Sequence, residues 1–474
     1  MRMRIYYGWV LVGVLALTET VSYGVLFYAF AVMLVPMQAD LGWSQATLTG
    51  AFSLAALTAG MVALPVGRWL DRRGARAVMT AGSVAATLLL FAWSRVDHPV
   101  IYYLVWIGLG ACMAAVFYEP AFAVVARWFH AQRTRALTII TLAAGLASTI
   151  FVPLAAALVA AHGWRTAVAW LALILGVLTV IPHALLLRRQ PADLGLEVDG
   201  RRRTGTGECL HALAPASGSA ASAHPGTAGH ARNARHARSA ERLHNARQAR
   251  TLTTRVDPRG VRSGSFRWLS VAFMLSGAAG FAVAVHLIPL LLARGHSAAW
   301  AGGALAALGL CKLPGRLLLA PVEARLSMPV ATIGIFVFQL GGLLALITVP
   351  GVLGVGLFVV LFGGADGAST PARASILADF YGTGDFGRIS GVMAPPLAVA
   401  RAAAPAGGSL LQAWLGGYDG LVIVLCAIAA GAAGAMAAAV RHHRNATAPG
   451  PDGHELPLPV ATPASFPGRL RLPG

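Results

Sequence analysis

The sequence predicts an all-α membrane protein, with twelve transmembrane helices in two six-helix halves. Three observations carry this. Of 474 residues, 57% are hydrophobic and only 12% charged, more apolar side chain than one water-facing core can bury. The apolar residues gather in twelve stretches, each near the ~20 residues that a helix needs to cross a hydrocarbon layer of ~30 Å. Arginine is concentrated in alternate loops, the pattern that positive charge imposes by staying on the cytoplasmic side.

The first six stretches cover 7–34, 46–69, 77–95, 101–126, 136–161 and 165–187. The other six cover 268–292, 298–322, 329–349, 352–376, 389–414 and 420–440. The first is too long for a signal-peptide core and no small-residue cleavage site closely follows it, so it is expected to stay as a membrane anchor. Outside the middle of the chain, one set of loops and termini holds thirteen arginines, among them Arg68, Arg72, Arg133 and Arg441. The other set holds Arg95, Arg165 and Arg294. Both termini are therefore expected in the cytoplasm of a cell whose inner (plasma) membrane holds the protein, and an even number of spans demands the same.

Residues 188–267 interrupt the pattern with fifteen arginines against six acids and no long apolar run. Such a composition cannot offset the entropy of ordering, so a disordered basic cytoplasmic linker is expected between an N-terminal bundle (1–187) and a C-terminal bundle (268–440). The linker reads either as an adhesive for anionic headgroups or as a tolerated insertion. The Pro- and Gly-rich residues of 441–474 are expected to form a disordered tail. The net charge of +19 comes without a basic face interleaved with aromatics, which argues against nucleic acid as a partner. Cys112, Cys209, Cys311 and Cys426 stand singly, with no spacing for a metal or a disulfide framework, and no cofactor is indicated.

Local motifs add to this. Between the second and third stretches runs Gly67-Arg68-Trp69-Leu70-Asp71-Arg72-Arg73-Gly74-Ala75-Arg76. It resembles the loop signature of the major facilitator superfamily, and that resemblance implies the major facilitator fold and a cytoplasmic gate at Gly67, Asp71, Arg72, Gly74 and Arg76. A glycine there permits close helix approach, and Asp71 can accept bonds from a helix N-terminus or an arginine. The second-half loop, Ala320 to Ser327, carries Ala324 where the family usually has Asp. Tyr7-Gly8-Trp9, Arg127-Trp128-Phe129, Arg133, Arg135-Ala136-Leu137, Ala144-Gly145 and Phe386-Gly387-Arg388-Ile389-Ser390-Gly391 are similar to landmarks of the monocarboxylate and oxalate/formate transporter branch. Thr138 stands where members of that branch carry a small Gly.

An ionised side chain at mid-membrane costs at least ~2.5–3.5 kcal/mol on insertion scales, so one that persists there faces a pathway or a partner. Glu19, Glu119, Lys312, Arg316, Asp366 and Arg401 lie deep within stretches. Lys312, the single lysine, and Arg316 are four apart and share a helix face. The resemblance implies that Arg316 binds a substrate carboxylate, and Lys312 takes a place held by an acid in many animal members. Arg401 offers a second cation from the same half. The three cations either receive an anion, bidentately at a guanidinium, or pair permanently with the three acids. His286, in the seventh stretch, is a further substrate candidate. Glu19, Glu119 and Asp366 are candidates for proton coupling, with an interhelical bond or static salt bridge as the alternative reading; for Asp366 that reading, as partner of Arg401 or Lys312, is the favoured one. Pro120 after Glu119 frees a backbone carbonyl.

The function expected is secondary transport of a small organic anion, a mono- or dicarboxylate, by alternating access with proton symport or anion exchange. An exporter of a neutral or cationic compound, or a membrane sensor derived from a transporter, are the alternatives. No nucleophile elbow, His-rich metal box or P-loop points to an enzyme. The expected partners are the anion, protons and membrane lipids, and a monomer is expected.

Overall fold

The computed structural model describes residues 6–130, 132–200, 263–323, 325–381 and 386–447. In chain order the membrane-length helices are α1 (Tyr7–Leu41), α2 (Gln45–Arg73), α3 (Ala75–Trp93), α4 (Pro99–Trp128), α5 (133–162) and α6 (164–186) in the first half. The second half holds α7 (Gly264–Ala293), α8 (Ala298–Glu323), α9 (Met328–Thr348), α10 (Gly351–Tyr381), α11 (Phe386–Trp414) and α12 (Tyr418–Thr447). By length and hydropathy alone, ten helical runs among the described residues can cross a membrane. One of them, 135–186, is α5 and α6 in continuity, broken by Gly163 in a left-handed conformation (φ 76°). Helix α11 stands outside the ten; Arg388, Arg401 and three internal prolines interrupt its apolar run. The architecture is the twelve-helix fold that the hydropathy pattern predicts.

Helix ends follow ordinary rules. Ser44 caps α2 by accepting from the Thr47 amide at 3.1 Å, and Ser263 caps α7 by accepting from the Phe266 amide at 3.2 Å. Gly74, at φ 81°, makes the one-residue turn between α2 and α3. The ordered chain extends further than composition predicts. Within 188–200 lie two 3-10 turns, Pro191–Leu194 and Val198–Gly200, α7 already runs at Gly264, and α12 continues to Thr447. The remainder of the expected linker, 201–262, and of the expected tail, 448–474, lies outside the described residues.

The buried apolar side chains divide into three groups, and the division locates the functional centre. A large group draws on both halves, including Phe30, Phe52 and Trp106 from the first and Val283, Leu305 and Phe358 from the second. These residues occupy the end of the bundle away from Tyr7 and Thr447. At the terminal end the halves have separate cores, one of Leu11, Leu70, Val125 and Ile140 and the other of Phe273, Phe336, Ile376 and Met436. Among the described residues the halves thus share a core at the far end and have separate cores at the terminal end. Leu64, Ile101 and Leu353, all exposed, belong to the outward faces that a lipid bilayer covers.

Polar bonds reinforce the far-end seam. The Thr49 and Ser409 hydroxyls are 2.8 Å apart, and the Ala406 amide donates to Ser53 Oγ at 3.0 Å, joining α2 to α11. On the far surface, Arg165 pairs with Asp40 at 3.2 Å and Asp97 at 2.7 Å, while Arg294 pairs with Asp419 at 2.7 Å.

Candidate functional site

Midway along the bundle the sequence places two irregularities in the first half. Gly24–Tyr28 is a π-helical turn within α1, and its i→i+5 spacing brings Tyr23 and Tyr28 to one side of the helix. In α4 the helix is interrupted at Phe117, whose backbone is extended (φ −87°, ψ −165°). Pro120 lacks the amide that would bond back to Val116, so the interruption falls where proline chemistry puts it. It presents Phe117, Tyr118 and Glu119 in succession.

Opposite them stand the cations of the second half. Lys312 Nζ on α8 pairs with Asp366 Oδ2 on α10 at 2.8 Å and lies 5.9 Å from the centre of the Tyr28 ring. Arg316, one turn on, donates through Nη1 to the Thr141 carbonyl of α5 and stands beside the Tyr118 hydroxyl. Its Nε has no hydrogen-bond partner. Arg401 of α11 lies 5.5 Å above the Phe281 ring, and its Nε is likewise unpartnered. Neither arginine forms an ion pair among the described residues. Asp366, Tyr23 and Glu119 are within electrostatic range of Arg401, and so is Arg401 of Arg373 on α10.

The acids divide as well. Glu19 of α1 is fully buried, with neither carboxylate oxygen hydrogen-bonded. Glu119, in electrostatic range of both Glu19 and Arg401, is exposed. Since those neighbours come from the two halves, its exposure opens into the space between them and not onto lipid.

Of the six intramembrane charges the sequence singles out, all six gather in this region, but only Lys312 and Asp366 pair. The pairing of three cations with three acids is not what the side chains do. His286 does not join the group. It is 2% exposed, donates from Nε2 to the Pro405 carbonyl at 2.9 Å, and accepts at Nδ1 from Gln45 Nε2 at 3.2 Å, while Gln45 Oε1 accepts from the Tyr418 hydroxyl at 2.9 Å. This chain of bonds links α2 to α7, α11 and α12 in the far-end seam. Tyr23, Tyr28, Tyr118, Phe281 and Arg373 were not singled out by sequence reasoning. The three tyrosine hydroxyls and the Arg373 charge, all within apolar stretches, were a signal available in the sequence; Phe281 carried none.

The residues of the expected gate cluster at the terminal end. Gly67 and Asp71 lie on α2 and Arg76 on α3, on either side of the Gly74 turn. Arg127 of α4 donates to the Leu70 carbonyl at 2.6 Å, and Arg189 donates to the Arg72 carbonyl at 2.9 Å. Those bonds hold the turn to the first half.

Twelve helices in two bundles, sharing a core at one end only and enclosing charged groups at mid-membrane, are the build of a carrier that works by moving substrate between faces. The chain belongs to the Major Facilitator Superfamily, whose family model matches residues 15–405. It is a transporter embedded in a membrane. Among solved structures it is similar to a bacterial homolog of the human lysosomal transporter Spinster in an inward-facing, unoccupied conformation, at 14% identity and TM-score 0.63, covering 94% of this chain and 96% of that one. It is also similar to the peptide transporter POT in complex with sulfate, at 13% identity and TM-score 0.62, covering 92% and 95%. At such identities the likeness is one of fold. No curated protein matches the sequence.

Proposed function

We propose that this transporter carries a small organic anion, a mono- or dicarboxylate, as members of the monocarboxylate and oxalate/formate branch do, by alternating access at the mid-membrane site. The observation that carries the reading is the pair Arg316 and Arg401. Each is a guanidinium at bilayer depth with an unpartnered Nε and no carboxylate partner among the described residues. A charge at bilayer depth without a counter-ion is costly, and a carboxylate offers two oxygens to the planar fork. Lys312 is held by Asp366 and serves chiefly to fix α8 against α10.

Proton symport is the mode the acids support. Glu119 opens to the space between the halves and Glu19 is sealed behind it, so a proton taken up at Glu119 has an acceptor next to it away from water. By the distribution of arginine the terminal end is cytoplasmic, and the turn around Gly74 is its gate.

The test is uptake of labelled carboxylates into proteoliposomes, with and without a pH gradient or internal carboxylate. The wild type accumulates acid when the outside is acidified. Arg316→Gln and Arg401→Gln abolish uptake with normal membrane expression. Uptake driven only by internal carboxylate would replace symport by exchange, and full uptake by both glutamine variants would remove the anion site.

A further inference from the structure

The mid-membrane cations are set in aromatic rings. Tyr23 of α1 is stacked on Phe117 of α4 at 4.0 Å between centroids (interplanar angle 11°) and lies 4.8 Å from Tyr118. Phe27 is 5.0 Å from both Tyr28 and Phe281, the last from the opposite half. Each cation has its own ring. Lys312 faces Tyr28, Arg401 faces Phe281, and Arg316 stands beside Tyr118. Neighbouring aromatics on the far-end side of the same helices are sealed. Phe30 and Trp106 are 0% exposed. Tyr23, Phe27, Tyr28, Tyr118 and Phe281 are all only partly buried, although each touches the other half or a group that does.

Partly covered ring faces beside desolvated cations are an unfavourable lining for water alone and a complementary one for a flat apolar body ending in an anion. The two backbone irregularities of the first half serve this arrangement. The π-helical turn brings Tyr23 and Tyr28 to one side of α1, and the interruption at Phe117 turns two consecutive aromatics of α4 toward them. An acid of two or three carbons needs the arginines but leaves the rings with nothing to cover them.

We propose that the cargo is an aromatic carboxylate, its carboxylate held by Arg316 and Arg401 and its ring seated among Tyr23, Phe27, Tyr118 and Phe281. This rests on the anion reading above and narrows it to a substrate class.

The purified full-length protein, assayed by thermal stabilisation and by competition against labelled uptake, provides the test with benzoate, acetate, oxalate and benzamide as probes. Benzoate is expected to bind about ten- to a hundred-fold more tightly than acetate or oxalate, the increment for burying a ring. Benzamide, with the ring but no charge, is expected to bind negligibly. Tyr23→Leu and Phe281→Leu should bring the benzoate-to-acetate ratio below about threefold. That ratio is read within each variant and so does not depend on the fraction that folds. Acetate or oxalate binding as tightly as benzoate, with Arg316→Gln removing both, overturns the aromatic class and leaves the anion site standing. Benzamide binding as tightly as benzoate, or benzoate binding undiminished in Arg316→Gln, overturns the anion site itself.

Discussion

Lys312 and Asp366 form an ion pair of 2.8 Å between α8 and α10, with side chains 12% and 19% exposed. The backbones beneath it are in direct contact, since Gly367 leaves no room for a Cβ against the Lys312 main chain and Gly315 none against the Gly364 carbonyl. The pair and the two glycines act together to bring the two helices close, and Arg316 is positioned from the same turn of α8.

Removing one member of the pair leaves a buried charge without its partner. Lys312→Met or Asp366→Leu is expected to destabilise the folded protein by about 3–5 kcal/mol, and the double variant carrying both substitutions by much less. Melting of the purified variants in detergent, compared as a double-mutant cycle, measures this. Equal and additive losses would show that the two do not act as a pair.

Close backbone approach yields a graded prediction. Gly367→Ala requires α8 and α10 to separate and is expected to cost about 1–3 kcal/mol, lowering the melting temperature and uptake together. Gly303→Ala, on the same α8 but with open space around its Cβ position, should be neutral within about 0.5 kcal/mol.

Arg316→Lys keeps the charge but loses the fork that reaches Thr141 and the Tyr118 hydroxyl at once. Carboxylate uptake should fall at least about tenfold, since a point charge does not replace a planar bidentate donor. Initial rates over a range of substrate concentrations, normalised to protein in the membrane, will test it. A rise in KM with little change in the maximal rate is the expected form.

The far-end seam can be locked. The Thr49 and Ser409 hydroxyls are in hydrogen-bond contact across α2 and α11, so Thr49→Cys with Ser409→Cys is expected to form a disulfide under mild oxidation. Transport should stop on oxidation and return on reduction. His286→Ala, which removes the bonds to Pro405 and Gln45, should make the far end open more readily and slow the cross-link. Unimpaired transport by the fully oxidised pair would mean that the seam never opens.

How much of this was legible differs from residue to residue. The spans were readable because the bilayer enforces a length and an apolar composition on each, and Gly163 was the one place where two of them run together. The six intramembrane charges were readable for the same energetic reason. Their partners were legible only in part: the sequence offers Asp366 a partner in Lys312 or Arg401, and the choice falls to helix packing, which brings together two residues 54 positions apart. His286 shows the limit most clearly. A histidine within an apolar helix is compatible with a substrate ligand or a packing residue, and only the positions of Gln45 and Pro405, from two other helices, show both ring nitrogens engaged. The rings went unnoticed because Tyr and Phe are common in spans, and the π-helical turn that aligns Tyr23 with Tyr28 has no simple signature.

The shared core at one end and the separate cores at the other set what has to be undone before the far side can open. Swinging toward the far side means unpacking Phe30, Phe52 and their partners across the seam and breaking the Thr49–Ser409 and Gln45–His286 bonds, whereas swinging back restores them. Exposure of the site to the far side therefore costs that packing and those bonds in every cycle. The apolar packing that closes the seam is thus the latch that any opening has to release.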